Sequence, residues 1–153
     1  MSYIDKNLLN GENVIYRAKL HWIVFKWSII WLILAILFFM HGGDAAAIGG
    51  WCILFAILAG IASIINYSTS EFGITNKRVI VKYGFIRRKS LEVLFTKVEG
   101  IQVDQGILAR ILGYGSITVG GTGGTKDPFH RISNPFEFRR KAQEQIAAVQ
   151  DSK

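Results

Sequence analysis

Residues 22–67 decide the architecture of this 153-residue chain, and they read WIVFKWSIIWLILAILFFMHGGDAAAIGGWCILFAILAGIASIINY. The stretch contains two apolar runs, 22–40 and 45–67, and each is long enough to cross a hydrocarbon core of about 30 Å as a helix. Between Trp27 and Ser70 the single charged residue is Asp44, which separates the runs. Helices buried in a soluble core are shorter and carry a polar stripe. The stretch therefore predicts an α-helical transmembrane hairpin of two spans.

The link between the runs, His41-Gly42-Gly43-Asp44, leaves room only for a tight reversal. Gly42 and Gly43 can adopt the positive φ that such a turn needs. Lysines and arginines flank the outer ends of the hairpin and are absent from the link, so the positive-inside rule predicts both termini in the cytoplasm. The first run is too long for a signal peptide, and no small-residue cleavage site follows it. We therefore expect a multi-pass membrane protein.

Small residues recur along the second run at helical spacing: Gly49, Ala56, Gly60 and Ser63. Small side chains let membrane helices approach each other closely. This face is expected to pack either within the hairpin or between protomers. Neither run contains a Glu or Arg pathway, and Asp44 lies in the link, which argues against a transporter or a proton pump.

After Tyr67 the hydrophobic period changes from helical to two, which is typical of short strands in an antiparallel sandwich or barrel. The predicted strands cover residues 71–75, 78–83, 85–95, 100–105, 116–119 and 129–132, with a helical turn at 107–112. The alternation of residues 13–20 indicates a further strand that can join the sheet at its edge. The predicted organisation is an N-terminal cytoplasmic segment (1–21), the hairpin (22–67) and a cytoplasmic domain (68–153).

The last predicted element is an amphipathic helix over residues 135–150. Asn134 is its expected N-cap, Pro135 suits the first helical position, and Glu137 can reach back as in a capping box. The apolar face is expected to seal the core of the domain and consists of Phe138, Ala142, Ile146 and Val149.

Three stretches of the cytoplasmic domain resemble a known family. They are residues 74–80 (ITNKRVI), residues 111–117 (ILGYGSI) following Arg110, and residues 121–139, which contain GTGG, PF, NP and FR. On these residues the chain resembles the bacterial pleckstrin-homology-like (PH-like), membrane-flanked family once grouped as a domain of unknown function. The resemblance implies a mostly-β domain, with a strongly bent antiparallel sheet of seven strands forming a partial barrel capped by the C-terminal helix. It places the protein in the bacterial cytoplasmic (inner) membrane and implies no agreed catalytic residues.

Residues that could carry chemistry do not form a recognisable motif. The glycine-rich segments 113–115 and 120–124 lack the Gly-Lys-Ser/Thr of a Walker loop and the strand, turn and helix of a dinucleotide fingerprint. His21, His41 and His130 are far apart, and Cys52 is the single cysteine, so neither a zinc ligand set nor a nucleophile with a base is evident. We therefore expect no metal, no cofactor and no catalytic residues.

The chain is basic, with 18 Lys and Arg against 11 Asp and Glu and a net charge of +7. Six cations follow the second apolar run: Lys77, Arg78, Lys82, Arg87, Arg88 and Lys89. Anionic head groups attract juxtamembrane cations by about 1 kcal/mol each, so this set is a candidate lipid head-group contact. The alternative is a solvated basic face that membrane topology alone explains. Nucleic acid is not an expected partner, because the aromatic residues are predicted to be buried rather than to form stacking platforms.

Three functions remain open at this point. The first is a non-enzymatic membrane protein whose cytoplasmic PH-like domain serves protein interaction or self-assembly. Exposed sheet edges and the small-residue face favour a homo-oligomer, and other membrane proteins are further candidate partners. The second is a sensor of anionic lipid head groups that uses the six cations. The third is a small transport-related subunit.

Overall fold

The computed structural model describes residues 3–84, 89–121 and 128–151, and of Lys89 the backbone alone. The chain divides into two compact units. One, here called the hairpin unit, is Trp22–Ser68. The other, here called the sheet domain, combines Met1–His21 with Thr69–Lys153. The sheet domain is therefore assembled from chain segments on both sides of the hairpin.

The secondary structure follows in chain order. The helices are α1 (Tyr3–Lys6), α2 (Lys26–His41), α3 (Ala45–Thr69), α4 (Ile107–Leu112) and α5 (Pro135–Asp151). The strands are β1 (Val14–Ala18), β2 (Glu71–Thr75), β3 (Arg78–Tyr83), β4 (Lys89–Leu94), β5 (Val98–Asp104), β6 (Tyr114–Gly121) and β7 (Pro128–Ser133). Short 3-10 turns lie at Trp22–Phe25 and Phe95–Lys97.

The hairpin unit consists of α2 and α3, joined by the predicted reversal. Gly42 and Gly43 have φ values of 69° and 57°, which confirms the positive φ expected there. The first apolar run begins as a 3-10 turn and becomes α-helical only from Lys26, while the second helix continues to Thr69. By length and composition, both helices are able to cross a membrane.

The first sheet contains β1, β2, β3 and β4, antiparallel and in chain order. β2 and β3 pair with Ile74 opposite Val79, so the predicted hairpin with its turn at Asn76 is present. β1 pairs with the outer side of β2, with Ala18 opposite Phe72. The strand predicted within residues 13–20 therefore exists and occupies the edge of the sheet.

The second sheet contains β5, β6 and β7, also antiparallel and in chain order. Ile117 of β6 stands opposite Phe129 of β7, and Leu20 forms an isolated bridge to Ile132 on the far side of β7. The family resemblance implies one bent sheet of seven strands. Hydrogen bonding among the described residues instead divides the seven strands into sheets of four and three.

The core of the sheet domain forms where the two sheets and α5 meet. Phe72 of β2 is fully buried and meets Phe129 of β7 edge to face, with ring centroids 6.2 Å apart. Phe138 and Ala142 of α5 are also fully buried, so the predicted apolar face does seal the core. Full burial of one such Phe contributes about 1.5–3 kcal/mol, and its loss would open the contact between helix and sheets.

The start of α5 differs from the prediction. Asn134 has a φ of 48°, in the left-handed region rather than the extended conformation usual for an N-cap. Its carbonyl accepts from the backbone N–H groups of Glu137 and Phe138, while its own N–H donates to the carbonyl of Gly113 at 3.0 Å. The predicted capping box is therefore wrong. The backbone N–H of Asn134, which the Glu137 carboxylate would have to accept, already donates to Gly113. The Glu137 carboxylate accepts instead from the Tyr16 hydroxyl at 3.5 Å.

Candidate interaction surface

Arg78, one of the six predicted head-group cations, lies at the start of β3 and is enclosed by acidic partners. Its Nε and Nη2 donate to the two carboxylate oxygens of Glu12 at 2.9 and 3.0 Å. Nη1 donates to Glu92 at 2.6 Å, and Nη2 also donates to the carbonyl of Asn7 at 2.6 Å. The Arg78 side chain is 11% exposed and that of Glu12 is 0% exposed. The positive charge of Arg78 is therefore neutralised by carboxylates within the sheet domain.

The network shifts the titration of both partners. Burial by itself raises the pKa of Glu12, but hydrogen bonds from Arg78, Leu9 and Thr75 outweigh it, so the pKa of Glu12 lies below its ordinary value. The hydrogen bond to Glu12 raises the pKa of Arg78. Thr75 Oγ1 donates to the carboxylate at 2.7 Å. Glu12 therefore stays ionised at neutral pH and holds the N-terminal segment on the β2–β3 turn.

Two further cations of the predicted set contact the same N-terminal segment. Lys77 Nζ donates to the carbonyl of Asn10 at 3.1 Å. Lys82 Nζ lies 4.5 Å from the centroid of the Tyr3 ring, within the range of a cation–π interaction. The three remaining members, Arg87, Arg88 and the side chain of Lys89, lie outside the described residues. The described cations thus contact the protein itself rather than converging on an open pocket.

The attachment of residues 3–12, ahead of the predicted edge strand, was not predicted from the sequence. The Glu71 carboxylate accepts the backbone N–H groups of Tyr3 and Ile4, at 3.1 and 3.2 Å. Ile4 is buried, and its side chain covers Gly73 of β2. These partners are 67 to 68 residues apart, and Glu12 and Arg78 are 66 apart. The useful signal was Glu12, an acidic residue just before the predicted edge strand, but its partner emerges only once β1 is placed beside β2.

The small residues of α3 face α2 within the hairpin unit. They are Gly49, Ala56, Gly60 and Ser63. Ser63 Oγ donates to the carbonyl of Val24 at 3.0 Å, and Ser28 Oγ donates to the carbonyl of Ala56 at 2.8 Å. A Cβ added at the two glycines would lie 3.2 and 3.1 Å from side chains of α2. This face therefore packs within the hairpin.

Three of the four outer sheet edges have no strand partner among the described residues, those of β1, β4 and β5. The outer edge of β7 differs, because it bridges to Leu20 and the N–H of His21 donates to the carbonyl of Arg131 at 2.7 Å. On β4, Ser90 and Leu94 are exposed. An open edge presents unpaired N–H and C=O groups to another chain.

A hydroxyl–imidazole pair lies on the exposed side of the second sheet. Ser116 Oγ is 2.8 Å from His130 Nδ1, a contact that sequence reasoning missed because it depends on the register of β6 and β7. Activating a serine also needs a group that orients the imidazole and donors that stabilise an oxyanion.

Within the described part of the chain, no group of three or more His, Cys, Asp or Glu could hold a metal ion.

Two antiparallel sheets with a C-terminal helix are the arrangement expected of a PH-like domain. The model of the family described as "Bacterial PH domain" matches residues 19–146. Because the match covers most of the chain, this protein belongs to the bacterial PH domain family, which confirms the resemblance. The match begins at Lys19 and therefore includes both apolar helices. No curated protein and no solved structure matches the chain.

Proposed function

We propose that this chain is an integral protein of the bacterial cytoplasmic membrane whose sheet domain is a non-enzymatic interaction and self-assembly module. In this proposal α2 and α3 span the bilayer and both termini are cytoplasmic. Membership of the bacterial PH domain family supports an interaction role. The observation that carries self-assembly is the outer edge of β4, which has no strand partner among the described residues.

Membrane insertion is supported by the outer faces of the two helices. Large apolar side chains on these faces are exposed, among them Trp51 at 64% and Leu58 at 54%. An apolar surface of this extent is unfavourable in water and favourable in hydrocarbon. After an alkaline carbonate wash the full chain should therefore remain in the membrane pellet, and protease added outside spheroplasts should leave the sheet domain intact. Release of the chain into the wash would contradict the proposed anchoring.

Self-assembly through β4 is favoured over head-group recognition by the contacts of the described cations. Arg78, Lys77 and Lys82 all engage the N-terminal segment, whereas the β4 edge has no strand partner among the described residues. Pairing of two β4 edges would form a self-complementary, two-fold interface. Confinement of copies to a membrane plane raises their effective concentration, so a weak edge contact suffices.

Thiol cross-linking tests this interface. In a Cys52→Ala background, we compare Ser90→Cys on β4 with Gln143→Cys on the exposed face of α5. A short bis-maleimide added to membranes should join copies through residue 90 and leave the control monomeric. The mass of the detergent-extracted chain should correspond to two or more copies. A monomeric mass together with equal cross-linking at both positions would refute self-assembly through β4.

A further inference from the structure

The short helix α4 presents an apolar surface to solvent. Its four large side chains and their exposed fractions are Ile107 (83%), Leu108 (70%), Ile111 (74%) and Leu112 (39%). Ala109 is the one residue of α4 that is buried. Ile107, Ile111 and Leu108 are the three most exposed large apolar residues among the described residues of the sheet domain. α4 thus directs outward the residue types that the rest of the domain buries.

The base of α4 is fixed by hydrogen bonds, so this surface is held in place. Gly113 ends the helix with a φ of 77°, and its N–H donates to the carbonyl of Ala109. Beside the helix, Gln105 Nε2 donates to the carbonyl of Tyr114 at 2.7 Å. The Gln105 bond ties the N-terminal flank of α4 to the first residue of β6, and at the other end of the helix β6 follows Gly113 directly.

α4 lies beside the point at which the chain leaves the sheet domain for the hairpin unit. His21 is the last residue of the first segment of the sheet domain, and Trp22 follows it directly. The His21 ring stacks on Tyr114 with centroids 5.2 Å apart. The His21 side chain is also hydrogen-bonded to the backbone of Leu112, the last residue of α4. His21 therefore contacts the end of α4 within the sheet domain and immediately precedes the first apolar run in the sequence.

The chemistry of α4 favours a lipid surface as the occupant. If the first apolar run enters the bilayer near Trp22, then His21 and Leu112 lie close to the membrane interface. The one charged residue of α4 is Arg110, which is exposed, and the helix has no acidic residue. Aliphatic side chains together with a cation are the combination that interfacial helices use at anionic membranes. The stem of Arg110 can also lie along apolar surface while its guanidinium reaches the head groups.

We propose that α4 is an interfacial anchor, inserting its aliphatic side chains between the head groups and the upper acyl chains of the bilayer. The inserted helix holds the sheet domain against the membrane surface. This inference rests on the proposed insertion of α2 and α3. It differs from head-group recognition by the six cations, because its affinity comes from apolar burial and its contact residues are on α4.

The test uses the full chain in nanodiscs of phosphatidylcholine and phosphatidylglycerol, with one copy per disc and a Cys52→Ala background. An environment-sensitive fluorophore is attached at Ile107→Cys on α4, Ile57→Cys on the outer face of α3, or Gln143→Cys on α5. Because Ile107 is 83% exposed, labelling there leaves the fold intact. Lipids with a doxyl quencher near the head group are compared with lipids quenched near the end of the acyl chain.

We expect loss of emission at residue 107 with the shallow quencher, loss at residue 57 with the deep quencher, and none at residue 143. Adding Ile111→Ser should reduce the quenching at residue 107, because less apolar surface inserts. Quenching at residue 57 without quenching at residue 107 would overturn the inference and leave the membrane insertion standing. Absence of quenching at both positions would overturn the proposed function itself. Protection of residue 107 that requires several copies per disc would identify a second copy as the occupant and also overturn the inference.

Discussion

Replacing Glu12 with Ala removes the acceptor at the centre of the Arg78 network. The buried carboxylate accepts from Arg78 at 2.9 and 3.0 Å, from Thr75 Oγ1 at 2.7 Å and from the N–H of Leu9 at 2.7 Å. After the change, Arg78 keeps Glu92, while the Thr75 hydroxyl and the Leu9 N–H lose an acceptor. The substitution therefore leaves a largely buried cation with half of its neutralising charge gone.

Removing one partner of a buried ion pair costs about 3–5 kcal/mol. Because Arg78 is 11% exposed and retains Glu92, the lower end applies, a loss of about 3 kcal/mol in the free energy of unfolding. With a urea dependence of about 1.5 kcal/mol per M, the unfolding midpoint should fall by about 2 M.

The assay is pulse proteolysis of the full chain in detergent across a urea series. All 4 tryptophans lie between residues 22 and 51, so tryptophan fluorescence would report on the hairpin unit rather than on the sheet domain. The matched control is Asp5→Ala, which removes an exposed ion pair with Arg17 and should cost less than about 1 kcal/mol. Midpoints for the two variants that agree within about 0.3 M would refute the conclusion that the buried network stabilises the sheet domain.

Three further predictions concern pH and close packing. Since the folded-state pKa of Glu12 lies below 4.5, its stabilising contribution is present above pH 4.5 and is lost as the pH falls through that folded-state pKa. The urea midpoint should therefore fall more steeply on acidification in the unchanged chain than in Glu12→Gln, and parallel pH profiles would contradict this. Gly115→Ala should cost about 1–3 kcal/mol by pulse proteolysis, because its Cβ would lie 2.9 Å from a backbone carbonyl, whereas Gly120→Ala, with its nearest atom at 3.6 Å, should change little. In α3, Gly49→Val should lower the SDS concentration at which the hairpin unfolds, measured by tryptophan fluorescence, because an added Cβ would lie 3.2 Å from Phe39. The control Gly50→Val should leave that concentration unchanged, because nothing lies within 4 Å of its Cβ position. Equal losses in the two variants would exclude the observed helix packing.

The β2–β3 hairpin could be predicted from the sequence because its information is local, in an alternating pattern interrupted at Asn76. The pattern nevertheless underestimates the burial of β2. All four residues from Phe72 to Thr75 are buried, although a strand with one covered face would bury alternate residues. The reason is non-local, since Ile4 covers Gly73 on the face opposite the core. A single sequence gives no indication that a residue 69 positions upstream closes that face.

The same limit applies to predicting the environment of charged residues in the candidate site. The sequence reveals that six cations follow the second apolar run, and it cannot distinguish a solvated Arg78 from one enclosed by Glu12 and Glu92. The environment of Arg78 depends on the pairing of β1 with β2, which brings Glu12 to the start of β3. The exposure of the α4 side chains could not be predicted either, although here the local pattern itself is misleading. Their spacing is that of an ordinary buried helical turn, and only the fold shows that Ala109 alone faces inward.

The insertion of the hairpin within the sheet domain has a consequence for how its function is studied. β1 precedes the hairpin and β2 follows it. The first sheet is therefore complete only when the chain segments on the two sides of the hairpin pair with each other. Neither connection has a linker, because Trp22 follows His21 directly, and the Ser70 hydroxyl next to α3 accepts the N–H of Gly84 at 3.3 Å. A fragment that starts at residue 68 would lack β1 and Glu12, exposing the edge of β2 and leaving Arg78 without its main partner. Weak lipid binding or aggregation of such a fragment would therefore reflect an incomplete sheet, and both proposals have to be tested on the full chain.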